Sequence, residues 1–202
     1  GDYVALRHFA GAHIRLRRMQ AGIGAYEELL EQQPQDAQIM NALALAYHQV
    51  GRTEALALAR RALDIAPSSA AVLDTYGWLL AETGDAARAL PFLRKARLQA
   101  PYASEVRYHL GVTLHALGRM KEAAVELRGA LGGTVTFDGQ ARAQALLDTL
   151  GDQIDRLDVV VNNAGFGTFG PFSGIPVDDS DAMIQLNIAA LTRLTRLALP
   201  GM

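Results

Sequence analysis

The sequence predicts a mainly α-helical protein: a solenoid of antiparallel helix pairs, then an incomplete α/β fragment. Three observations carry this. Pro34, Pro67 and Pro101 recur at spacings of 33 and 34, and Gly51, Gly84 and Gly118 recur at the same spacings. Between these marks, apolar residues return at three- and four-residue steps, the pattern of an amphipathic helix. From Leu157 the period is lost to a β-branched run, Leu157-Asp158-Val159-Val160-Val161, closed by Asn162-Asn163-Ala164-Gly165.

Composition sets the outer limits. The 202 residues are half apolar and one-fifth charged, as in an ordinary globular chain. Net charge is −2, which gives no reason to expect nucleic acid as a partner. No apolar run is long enough for a membrane span. There is no Cys, which excludes disulfides, thiol catalysis and Cys-ligated zinc. The charge is uneven. Residues 1–131 hold 15 basic and 13 acidic residues, whereas 132–202 hold 4 and 8. All six Tyr and the single Trp lie in the first part. Two unlike parts are expected, meeting near residue 132. The start at Gly1 rather than Met suggests that a segment upstream was removed.

Each recurrent Gly falls between two helical stretches, where a tight turn favours it. Each Pro falls just past the second stretch, where a helix must stop. Stacked on the glycines, Ala44, Gly77 and Gly111 occupy one small-residue position that lets paired helices approach closely. Tyr47, Leu80 and Leu114 follow one turn later. In the second helices Ala89 aligns with Ala123, Leu93 with Leu127 and Ala96 with Ala130. Ahead of these repeats, Ala25 to Pro34 reads as the second helix of a worn partial repeat. Just ahead of it, Gly22-Ile23-Gly24 has the outline of a phosphate-loop tail but lies inside a helical pattern, so it is read as coincidence.

This pattern resembles the tetratricopeptide repeat (TPR), whose period is about 34 residues. The expected division is a solenoid over 1–131, with a partial repeat at 1–35 and repeats at about 36–69, 70–103 and 104–131. The segment from Leu73 through Gly111 looks most like the carboxyl part of TPR lipoproteins linked to exosortase and polysaccharide export in bacteria. Seven or eight helices are expected in a right-handed array with a concave face. In such folds the first helices line the groove. The recurring positions here are Gln38, Asn41, Leu45 and His48; then Ala71, Asp74, Trp78 and Ala81; then Glu105, Tyr108, Val112 and His115. The implied partner is a peptide or protein in that groove. Trp78 is the first candidate anchor, as an exposed aromatic, with a wall of the repeat interface as the other reading. His48 and His115 stand two repeats apart, so no shared metal is expected.

Past Leu157 the sequence reads as a buried strand and turn, then the loop Gly165 to Phe172, then a helix from Asp178 to Leu199. Asp178, Asp179, Ser180 and Asp181 suit its amino end. These residues resemble the middle of a short-chain dehydrogenase/reductase. Asn162-Asn163-Ala164-Gly165 matches that family's NNAG signature, which lines the cofactor cleft. Asn187 matches the helix Asn of its catalytic set. The resemblance implies a Rossmann-like parent that binds NAD(P). This chain departs from it. The Gly-rich phosphate loop is missing, no Tyr follows Tyr108, and no Tyr has Lys four residues on. The chain stops at Met202, before the strand that would carry the catalytic Ser. No cofactor is therefore expected for this chain, and NAD(P) only as part of a complete dehydrogenase.

Residues 132–156 are a junction or capping helix. Gly139 to Leu147 fits a helix covering the last repeat. It also fits the dehydrogenase helix before the NNAG strand, which would make Val135 to Asp138 a strand and set Asp138 near the adenine. On either reading the 157–202 fragment is expected to be poorly packed, or paired with 134–138. The functional expectation is a peptide-binding scaffold with a catalytically incomplete tail. The alternatives are a fragment of an NAD(P)-dependent oxidoreductase on a TPR arm, or an accidental chimera of two unrelated frames. The two resemblances point to different compartments, bacterial cytoplasm or periplasm.

Overall fold

A computed structural model describes residues 2–133 and 135–154. Nine helices lie among them: α1 Asp2–Arg15, α2 Met19–Gln32, α3 Ala37–Gln49, α4 Ala55–Ile65, α5 Ala70–Glu82, α6 Ala86–Gln99, α7 Ser104–Ala116, α8 Met120–Leu131 and α9 Gln140–Ile154. None of the described helices is long and apolar enough to cross a membrane. Residues 1–148 make one compact unit and 149–202 a second. In the first unit, α1 packs on α2, α3 on α4, α5 on α6 and α7 on α8, and each pair then stacks on the next. The expected solenoid is thus present.

The turns follow from glycine. Gly51, Gly84 and Gly118 sit at φ of +73°, +89° and +73°, a region an L side chain enters only with strain. The residue after each glycine donates its N–H back to the carbonyl of Tyr47, Leu80 or Leu114, at 2.9 Å in all three cases. This closes the helix end in a Schellman turn and reverses the chain.

The pairing follows from missing side chains. A Cβ at Gly77 would lie 2.7 Å from Cγ of Leu93, and one at Gly111 2.8 Å from Cγ of Leu127. The Leu of the second helix fills the space a first-helix side chain would need. Leu93 and Leu127 are fully buried, as are Ala89, Ala96, Ala123 and Ala130 nearby. The first pair reaches the same closeness with the roles reversed. There Gly22 is on the second helix, and its Cβ would lie 2.6 Å from Ile14 of the first. Polar links join successive pairs. Glu27 accepts from the Tyr47 hydroxyl at 2.8 Å and from Arg52 at 2.7 Å. Arg97 and Arg107 both donate to Glu126, at 2.9 and 3.0 Å.

Three sequence expectations need correction or placement. The leading segment is a complete helix pair, α1 with α2, rather than a lone second helix. Ala10 of α1 and Ile23, Tyr26 and Leu29 of α2 are buried, which gives the first helix an apolar seat. Val135 to Asp138 is irregular chain turning into α9, not a strand. Gly139, at φ +96°, makes that turn. The 157–161 strand, the NNAG turn and the 178–199 helix lie outside the described residues.

Filling a close-approach site is expected to destabilise the array. Gly77→Val overpacks Leu93 and costs about 1–3 kcal/mol. Gly24, mid-helix with nothing within 4 Å of a Cβ, is the contrasting site: Gly24→Ala gains about 0.5–1 kcal/mol. Urea unfolding followed by far-UV circular dichroism reads both, and equal effects at the two glycines would refute the assignment.

Candidate functional site

The first helices α3, α5 and α7 lie side by side, and their exposed edges form the groove. A cleft of about 250 Å³ opens there, lined by Leu45, His48 and Gln49 of α3, Trp78 of α5, and Glu105, Tyr108 and His109 of α7. Asp138 and Gly139 complete its wall. Five of the residues singled out from sequence therefore meet in one place: Leu45, His48, Trp78, Glu105 and Tyr108. The others do not line it. Gln38 is exposed, and its side-chain oxygen accepts from Arg7 at 2.6 Å. Asn41 is half-buried, and its Oδ1 finds no hydrogen-bond partner among the described residues. His115 is half-buried on α7. No group of three or more potential metal ligands occurs among the described residues.

Asp74 lies beneath the cleft, tied to a residue the sequence reading missed. The buried Asp74 carboxylate accepts from Nδ1 of the buried His109, at 2.9 Å to Oδ2 and 3.0 Å to Oδ1. Trp78 stacks on His109 with centroids 4.2 Å apart and planes at 16°. Tyr108 lies 5.7 Å from Trp78 at 47°. The Thr113 hydroxyl donates to the His109 carbonyl at 2.8 Å. A buried carboxylate needs a partner of this kind, and here the next repeat supplies it. The only sequence signal was an offset of 35 residues, one more than the repeat.

Trp78 is not an exposed anchor. It is 9% exposed and Tyr108 is 3% exposed, because the chain after α8 covers them. The Phe137 ring sits 5.4 Å from Tyr108. A Cβ at Gly139 would fall 2.6 Å from the Tyr108 ring, so only glycine passes at this level. The Arg142 guanidinium lies 5.9 Å over the Trp78 ring, and Arg142 pairs with Glu82 at 3.2 Å. Asp138, assigned by one sequence reading to an adenine, faces Arg17 at 3.6 Å.

A second, more apolar groove of about 540 Å³ runs between α6 and α8 over Leu110 and Leu114. Leu98 and Val125 are exposed there. Four of its five charged residues are paired: Arg94 with Glu122 at 3.2 Å, and Arg97 with Glu126. The concave cleft is smaller but gathers side chains from three successive repeats.

Comparison with known proteins separates the two parts. The short chain dehydrogenase family model matches residues 106–202. Retinol dehydrogenase 8 of Homo sapiens is 30% identical over 111 residues, covering 52% of this chain and 34% of that protein. A hexahydroindene-carboxyl-CoA reductase of Mycobacterium tuberculosis is 37% identical over 87 residues, covering 40% and 33%. The chain thus spans about a third of these curated relatives. Among solved structures, MamA of AMB-1 superposes with a TM-score of 0.60 at 24% identity, covering 75% of this chain and 88% of that one. MamA 41-end from Desulfovibrio magneticus RS-1 gives 0.60 at 16%, covering 77% and 87%. These likenesses speak for the fold. The tetratricopeptide repeat model matches residues 9–70 and 76–134, more than half of the chain. Over 106–134 both family models match, and there Gly111 under Leu127 gives α7 and α8 the packing of a repeat. The chain belongs to the tetratricopeptide repeat family, with a partial dehydrogenase-like region at its carboxyl end.

Proposed function

We propose that residues 1–131 act as a protein-binding scaffold whose concave edge receives an extended peptide. The single observation that carries this is the cleft built by α3, α5 and α7 together. A solenoid gives such a surface from successive repeats, and aromatic residues there supply contact area. On this reading 132–156 is the junction, and Asn162, Asn163, Ala164, Gly165 and Asn187 are inherited positions with no reaction to perform. A short-chain dehydrogenase needs a general acid against its substrate, and this chain holds no Tyr-x-x-x-Lys. NAD(P) binding is proposed only for a longer protein that completes the domain.

Glu105 gives the cleft an electrostatic signature. Glu105 is exposed at the rim of the cleft, yet partial desolvation by the neighbouring protein raises its pKa; His109 opposes this, while Asp74 and Asp138 add to it. A carboxyl with a raised folded-state pKa favours folding most when protonated, and that contribution is lost as pH rises through the folded-state value.

Three outcomes are expected. In a fluorescence-anisotropy screen of random peptides, selected binders lose about tenfold in affinity with Trp78→Ala. Binders insensitive to that change would refute the groove. Glu105→Gln raises the melting temperature near pH 7, and the gain disappears as pH falls below the ordinary carboxyl pKa of about 4.3. A gain that persisted in acid would contradict the desolvated carboxylate. Titration with NADH gives no saturable change in nicotinamide fluorescence, and saturable binding would revive the oxidoreductase reading.

A further inference from the structure

We infer that residues 135–142 are an internal ligand of the concave groove, standing in for a partner peptide with an aromatic residue and, five positions later, an arginine. This rests on the peptide-groove reading and names the chemistry the groove selects. The segment leaves regular structure after α8 and crosses α7 toward α5. Its three anchors meet groove side chains: Phe137 against Tyr108, Gly139 flat on the same ring, and Arg142 over Trp78 and against Glu82. An aromatic platform beside a carboxylate suits a guanidinium, which stacks and pairs at once.

The segment is built to be displaced. Over half of the Arg142 side chain and nearly three-quarters of the Asp138 side chain remain exposed, so water already competes for both. The helix pairs beneath are held at their own close-approach glycines by Leu93 and Leu127. Two things keep the segment in place: Ala143, the fully buried residue that follows Arg142 in α9, and the tether itself. Chain connection holds it at an effective concentration of order millimolar, so individually weak contacts suffice. A free peptide with the same anchors must outcompete that concentration, and the groove stays closed to weaker partners.

Trp78 is the sole tryptophan, so its fluorescence reads the groove directly. The double variant Phe137→Ala/Arg142→Ala removes the anchors. Gly139→Val expels the segment by its clash with Tyr108 and leaves both anchors intact. Full-length proteins are compared, with helix content checked by circular dichroism. Trp78 emission is expected to shift to the red and become more accessible to acrylamide in both variants. A fluorescein-labelled peptide with the sequence of residues 133–145 is expected to bind the double variant about tenfold or more tighter than the wild type. It should reverse the Trp78 shift. The same peptide carrying Phe137→Ser or Arg142→Glu is expected to fail. Equal binding of the peptide to wild type and double variant, or unchanged Trp78 emission in both variants, overturns the internal ligand. If the peptide misses the open groove while screened peptides still bind in a Trp78-dependent way, the inferred chemistry fails and the peptide-groove reading survives. Absence of any Trp78-dependent binder in any of the proteins defeats both.

Discussion

The array depends on helices meeting closer than side chains normally permit. At Gly77 and Gly111 the first helix gives up its Cβ, and Leu93 or Leu127 of the second helix takes the space. The energetic basis is dispersion and apolar burial, small per atom and large per fully enclosed leucine. This contact fixes the distance within a pair. The Gly84 and Gly118 turns fix the reversal before it. With both set, successive first helices fall side by side, and a groove results without any residue being selected to make one.

The groove is therefore a by-product of pairing, and its chemistry is an added layer. Asp74 and His109 illustrate the cost of placing polarity there. Each is buried, and each is tolerable only because the other repeat supplies its partner. Their contact also sets the plane on which Trp78 stacks. Inter-repeat polar links of this type recur where Glu27 accepts from Tyr47 and where Glu126 accepts from Arg97. They bind neighbours that apolar packing alone would leave free to slide.

Much of this was legible in the sequence because it repeats. Gly51, Gly84 and Gly118 announced turns, and Ala44, Gly77 and Gly111 announced close approach, since a steric demand met several times leaves a column of small residues. The complete first pair was harder to see. Its close-approach glycine sits on the other helix, so Gly22 falls in the column of Ala89 and Ala123 rather than that of Gly77 and Gly111. His109 was invisible for a related reason. Its column holds Ala42 and Thr75, and its partner lies one residue off the period. The helix after Gly139 was legible, but one reading made Val135 to Asp138 a strand, since Val135-Thr136-Phe137 alternates like one. Only the meeting of Phe137 with Tyr108, and of Arg142 with Trp78, decides its path, and period-2 patterning carries no such long-range information.

The reversed roles in the first pair bear on how such an array can lengthen. The α5–α6 and α7–α8 pairs present the same socket and the same wedge on the same helices. Socket and wedge belong to the same pair, so a duplicated unit of either kind carries its own closure with it and asks nothing new of its neighbours there. The α1–α2 pair is closed in the same self-contained way, with Ile14 as the wedge and Gly22 as the socket. Growth of such an array by gene duplication is thus limited by the contacts between pairs and not by the packing inside them.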